Sequence, residues 1–224
     1  MKLHTDKKMF RDAVNITAQQ MNIPTIYVEK DYWVTFALKI IFSDEIGRDT
    51  IFKGGTSLAK CFKMINRFSE DIDLVVIRRE GETDNKLKRK LKDVENAIND
   101  TLPEIEIQGL THKVGMSRKT AHSYSKEFVG AYGQVRDVIV LEVNWLGYYE
   151  PFTKQKISSF VGEMMFNAGQ AELIEKYEMQ AFTVQVLEPI RTICEKIMSL
   201  VRFSYSERPI DDLKNKIRHT YDLH

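Results

Sequence analysis

Ile51-Phe52-Lys53-Gly54-Gly55-Thr56-Ser57-Leu58, followed further along by Ser69-Glu70-Asp71-Ile72-Asp73-Leu74-Val75-Val76-Ile77, decides how this chain folds. The first segment reads as a short apolar strand that ends in two glycines and passes into a helix from Thr56 to Met64, with Thr56 or Ser57 as its N-cap. In the second, Ile72 to Ile77 is a run of β-branched and aliphatic residues after two acids, which fits a buried strand. Side chains alternate along a strand, so Asp71 and Asp73 leave on one face while Ile72 and Leu74 enter the core.

Working outward, Asp6 to Met21 and about Val28 to Phe42 carry apolar residues at helical spacing. In the second of these helices Glu29, Lys30 and Asp31 read as the start of the polar side. Thr83 to Asp100 reads as a polar helix, and its Lys86 to Lys92 run as a solvated face. After Pro103 the pattern changes to short strands at Glu104 to Gln108, Thr111 to Met116, Glu127 to Tyr132 and Val138 to Trp145. Helices follow around Ser158 to Phe166 and Gln170 to Glu178, then a strand at Phe182 to Leu187 and a helix that Pro189 opens and that runs to Phe203. A last helix is expected from about Ile210, still running at His224 without a C-cap, so the helical part is expected to be truncated. The fold class read from this order is α+β: a mixed sheet flanked by helices in residues 1–165, followed by a mostly helical part in 166–224.

The chain has 224 residues, of which 43% are hydrophobic, enough for a sizeable core. Its 33 basic and 32 acidic residues nearly cancel, so net charge argues for neither a nucleic-acid nor a membrane partner. No apolar run approaches the length of a membrane span, and no membrane partner is expected. Cys61 and Cys194 lack zinc-site spacing and read as buried free thiols of a cytoplasmic protein.

Two carboxylates that converge repel each other unless a cation lies between them, and oxygen-only ligands suit magnesium or manganese. A glycine pair before a helix lets backbone amides approach a triphosphate, with the Thr56 and Ser57 hydroxyls as further donors. Phosphoryl transfer with two metals asks for a third acid, and Glu142, alone in the apolar strand Val138 to Trp145, supplies it, with Asn144 on the same face. Taken singly, an Asp-x-Asp pair is commonly a solvated strand end and a Gly-Gly a simple turn. Their combination in this order is what points to chemistry.

With these residues in place, the sequence resembles the nucleotidyltransferase superfamily that includes DNA polymerase β, and within it the AbiEii/MenT family of toxins from toxin–antitoxin systems. The matching segments are Glu29 to Val34, Phe52 to Leu58, Arg67 to Leu74, Pro189 through Lys196 to Arg202, and Arg218 to Leu223. The resemblance implies transfer of a nucleotide from a nucleoside triphosphate onto an acceptor, in relatives the 3′ end of tRNA. It also implies magnesium or manganese on Asp71, Asp73 and Glu142, and a cognate antitoxin. It adds Lys196, toward the triphosphate, and Asp222 to the catalytic residues. The nucleotide-binding set it implies is Lys53, Gly54, Gly55, Thr56, Ser57 and Ser69.

The same fold also admits a small-molecule or protein acceptor, and a binding protein without catalysis. An RNA acceptor predicts a basic groove leading to Asp71 and Asp73, whereas a small-molecule acceptor predicts an enclosed acidic pocket. Thr111 to Lys126, with Lys113, Arg118, Lys119 and Lys126, reads as a solvated loop or a phosphate-tracking patch.

Overall fold

The first helix is capped before it begins: the Asp6 carboxylate accepts the Met9 N–H, 3.1 Å away, at the start of α1 (Lys7–Met21). In this computed structural model, which describes residues 1–130, 133 and 135–223, Phe10, Ala13, Val14, Thr17 and Ala18 of α1 are buried. The helix ends at Asn22 in the left-handed conformation. Below it, α2 (Thr25–Ser43) runs through the protein with most of its circumference covered. Glu29, Lys30 and Asp31, expected on its solvent side, are all buried. The reason is that each has a partner inside. Glu29 accepts the N–H groups of Glu127 and Phe128, Lys30 donates to the carbonyls of Arg136 and Val138, and Asp31 meets Lys60 and the Phe160 N–H.

The sheet is mixed, in the order β3 (Glu104–Ile105), β5 (Ser117–His122), β6 (Ile139–Asn144), β2 (Ile72–Val76), β1 (Thr50–Lys53), β8 (Phe182–Leu187), β7 (Phe152–Ile157), with β4 (His112–Val114) paired to β5. β2 pairs antiparallel to β1 and parallel to β6. Ile72 and Leu74 are fully buried in the core, as alternation along the strand requires. Helices α2 and α4 (Asp84–Asn99) contribute Trp33, Leu38, Leu87, Leu91 and Val94 to the same cluster. Along α4, Lys86, Lys88 and Lys92 are exposed as expected, but Lys90 is buried against Glu82 and Asp49.

Several boundaries differ from the expectation. The basic stretch after Thr111 is the β4–β5 hairpin, whose Lys113 and Arg118 pair with Glu95, so these cations are spent on the fold. Residues 127–130 of the expected strand Glu127 to Tyr132 are irregular, and Glu29 takes up the backbone donors of Glu127 and Phe128. The last two residues of that expected strand lie outside the described ones. β7 is an additional strand that pairs with β8. The single last helix is two, α8 (Pro209–Lys214) and α9 (Ile217–Asp222), after α7 (Pro189–Ser204). Along α7 only Thr192 and Lys196 are buried, which leaves Cys194 exposed; Cys61 is half-buried. Among the described residues no helix is long and apolar enough to cross a membrane.

The Asp31–Lys60 pair joins α2 to α3 (Gly54–Lys60), and both side chains are at most 5% exposed. Lys60→Met, which keeps the side-chain volume but leaves the Asp31 carboxylate buried and unpaired, should cost about 3–5 kcal/mol. Urea unfolding of the two proteins measures this, and a loss below about 1 kcal/mol would show that the pair is not holding α3.

Candidate active site

Three neighbouring strands bring the acids together. Lys53 at the end of β1 lies opposite Asp73, and Glu142 of β6 lies beside Asp73 in the parallel register. Asp71, just before β2, is on the same face as Asp73, as period two demands. Burial, and after it the charges of Glu142 and Asp71, pushes the Asp73 carboxyl up to about 7, against the opposing pull of Lys53 and Lys119. The three carboxylates therefore share one electrostatic field. Two of them hold cations directly: Arg136 is 3.2 Å from Asp71, and Lys119 of β5 is 3.0 Å from Glu142. Among the described residues, no set of three His, Cys, Asp or Glu side chains converges closely enough to form a ready metal centre.

The turn after β1 is built against these acids. Gly54 has φ +81°, a conformation L side chains rarely adopt, and a Cβ there would collide with the Asp73 carboxylate. A Cβ on Gly55 would lie 2.8 Å from the Arg67 guanidinium and 3.1 Å from Ser69 Oγ. Helix α3 starts at Gly54 itself, two residues earlier than the sequence suggests. In consequence Thr56 and Ser57 do not cap it from outside. Thr56 Oγ1 donates to the Asp71 carbonyl at 2.6 Å and Ser57 Oγ to the Gly54 carbonyl at 2.9 Å, and both residues are buried. Ser69 Oγ lies 3.0 Å from Thr56 Oγ1 and completes the lining of the turn.

The C-terminal helices return to the same place. Asp222 of α9 accepts two hydrogen bonds from Arg67, both 2.7 Å, and one ion pair from Lys196 of α7, 2.8 Å. Burial opposes its charge, yet the bonds from Arg67 and Lys196 outweigh burial and hold its carboxyl below the usual carboxylate range. Beside them His219 is pushed down to about 4 by burial and by Lys196 and Lys216, so it is a neutral imidazole at pH 7. On the opposite side Lys53 pairs with Glu195 of α7 at 2.9 Å.

The expected catalytic and nucleotide-binding residues thus surround one edge of the sheet, the one formed at the ends of the central strands β1, β2 and β6. What sequence reasoning missed are the partners. Arg67 stands in a quoted segment without a role assigned, Lys119 was taken for part of a surface patch, and nothing in the sequence singled out Arg136 or Glu195.

The family described as Nucleotidyl transferase AbiEii toxin, Type IV TA system, matches residues 38–224. The chain belongs to this family. The match spans β1, the glycine turn, the Asp71/Asp73 pair, Glu142, Lys196 and Asp222, so every residue placed at the sheet edge above lies within the AbiEii match. No curated protein matches the chain.

The Asp73 carboxyl has a pH consequence. Its proton affinity is raised in the folded state, so folding loses stability as pH climbs from the ordinary carboxylate value of 3.8 through about 7, and loses no more above that. Asp73→Asn removes this loss. In chelator, the melting temperature of the variant relative to wild type should rise across that window and then level off; a difference that is flat from pH 4 to 8 would mean that neither burial nor the charges of Glu142 and Asp71 raise the Asp73 carboxyl.

Proposed function

We propose that this AbiEii-family chain is a divalent-metal-dependent nucleotidyltransferase. It transfers a nucleoside monophosphate from a nucleoside triphosphate to the 3′ end of tRNA, and it acts in the cytoplasm as the toxin partner of a cognate antitoxin. The observation that carries the reading is the lateral contact across β1, β2 and β6, where Lys53, Asp73 and Glu142 stand side by side next to the glycine turn.

The donor set suits magnesium or manganese. Asp71, Asp73 and Glu142 offer carboxylate oxygens alone, and the proton affinity of Asp73, raised first by burial and then by the charges of Glu142 and Asp71, is what a divalent cation between them would offset. These three residues would hold the metal, which neutralises the triphosphate and lowers the barrier to displacement at the α-phosphorus. In the transfer, an acceptor hydroxyl oxygen forms a bond to the α-phosphorus as the bond to the β-phosphate oxygen breaks. Pyrophosphate leaves with the electron pair, and the hydroxyl proton passes to a carboxylate of the set. Gly54 and Gly55 allow backbone to approach the phosphates, with Thr56, Ser57 and Ser69 holding the turn in shape. Lys53 and Lys196 are cations within the same cluster and serve the triphosphate.

An RNA acceptor is supported by the charges that flank the acids. Arg136 and Lys119 stand at Asp71 and Glu142 with their side chains partly open to solvent, 42% and 26% exposed, which resembles a basic approach more than a closed acidic pocket.

Incubation with magnesium, total tRNA and each labelled nucleoside triphosphate tests the reading. Wild type should label tRNA, and Asp71→Ala should lose that transfer by about three orders of magnitude while its stability stays within about 0.5 kcal/mol. Transfer that survives Asp71→Ala would sink the mechanism; labelling of a small molecule or a protein in place of tRNA would move the acceptor and leave the mechanism standing.

A further inference from the structure

The partners of Glu29 and Lys30 lie in the stretch between β5 and β6. Glu29 accepts the N–H of Glu127 at 2.7 Å and of Phe128 at 3.2 Å, and Lys30 donates to the carbonyl of Arg136 at 2.8 Å and to that of Val138. Two adjacent residues of one helix therefore clamp the chain where it leaves β5 and where it enters β6. Between the strands, Arg136 is fixed at its backbone a second time, since its N–H donates to Glu70 Oε1 at 3.0 Å. Glu70 is itself buried, with its other oxygen lacking a hydrogen-bond partner among the described residues. The backbone of Arg136 is thus held on both sides, while its guanidinium remains 42% exposed and reaches Asp71 Oδ1 at 3.2 Å.

That guanidinium stands where the metal and triphosphate meet in the function proposed above, on which the following inference rests. A divalent cation on Asp71 would face a like-charged guanidinium at close range, and the repulsion is strong at short separation. Glu70 Oε1, already 4.0 Å from Arg136 Nη1, is one acceptor left to the displaced guanidinium; the oxygens of the triphosphate, which match its planar fork of donors, are the acceptors that arrive with substrate. We propose that Arg136 is a further catalytic residue, one that moves from Asp71 to the nucleoside triphosphate when substrate enters, and that Lys30 is its positioning residue. Lys30 acts through the backbone at 136–138 and touches no substrate.

The test is binding, not turnover. The dissociation constants of the four nucleoside triphosphates with manganese are measured for wild type, Arg136→Ala, Arg136→Lys, Lys30→Met and the double variant Lys30→Met/Arg136→Ala, each with its melting temperature. A lost charge-assisted contact should raise the constant about 10- to 100-fold in Arg136→Ala, and Arg136→Lys should recover part of it. Lys30→Met should show the same loss as Arg136→Ala, and the double variant no more than either, because both act on one contact. Losses that add, following the melting temperature, would reduce Lys30 to a structural residue and overturn its half of the proposal. Unchanged binding in Arg136→Ala, with wild type binding normally, would overturn the whole of it and leave the transferase reading intact. Absence of nucleotide binding by wild type would take down both. Should Lys30→Met not fold, Lys30→Gln, which keeps a donor without the charge, replaces it in the same cycle.

Discussion

A charge taken out of water must find a partner or it opposes folding, and α2 places three in succession out of water. Glu29, Lys30 and Asp31 point in different directions around the helix, so their partners are distributed: the loop after β5, the start of β6, and α3 with the beginning of α5 (Phe160–Asn167). These are the elements that carry Arg136, Glu142 and the glycine turn. Satisfying the buried charges and assembling the sheet edge are therefore one requirement. The polar bonds also impose a register on the packing that apolar contacts alone would leave looser.

The sheet edge itself is a balance of opposite charges within a small volume. Asp71, Asp73 and Glu142 lie among Arg136, Lys119 and Lys53, and Asp222 lies between Arg67 and Lys196. In each case a side-chain cation stands where a carboxylate needs one, which keeps a crowded anionic edge compatible with a folded chain. In the function proposed, substrate binding would be an exchange of partners rather than a simple addition, because an arriving metal and polyanion would compete with contacts already formed. Gly54 and Gly55 are glycines for the same reason of crowding: Asp73 packs against the first and Arg67 with Ser69 against the second.

How much of this could be read from the sequence depends on whether the determining contact is local. The strand–turn–helix–strand order and the facing of Asp71 and Asp73 follow from glycines, β-branched runs and period two, and these survive in the structure. Glu142 was legible as an acid out of place in an apolar strand, but its register beside Asp73 was not, since strand pairing joins residues far apart in the chain. Glu29 to Asp31 were misjudged because helical periodicity treats charge as a sign of solvent, and periodicity carries no record of partners on other elements. Arg118 and Lys119 hid β5 in the same way: a run of cations looks solvated until Glu95 and Glu142 are brought across from α4 and β6. Lys196 and Asp222 were accessible through the family resemblance, and the pairing of Asp222 with both Lys196 and Arg67 became visible only with the chain folded.

The ion pair between Arg67 and Asp222 joins residues 155 positions apart. At ordinary rates of protein synthesis the second of these is made on the order of ten to thirty seconds after the first. Throughout that interval the glycine turn and the paired aspartates exist without Asp222, and Lys196 arrives late as well. The cluster is therefore complete only once Asp222 has been made. A growing chain thus carries the glycine turn and the paired aspartates for some time before the full set of charges around them is in place.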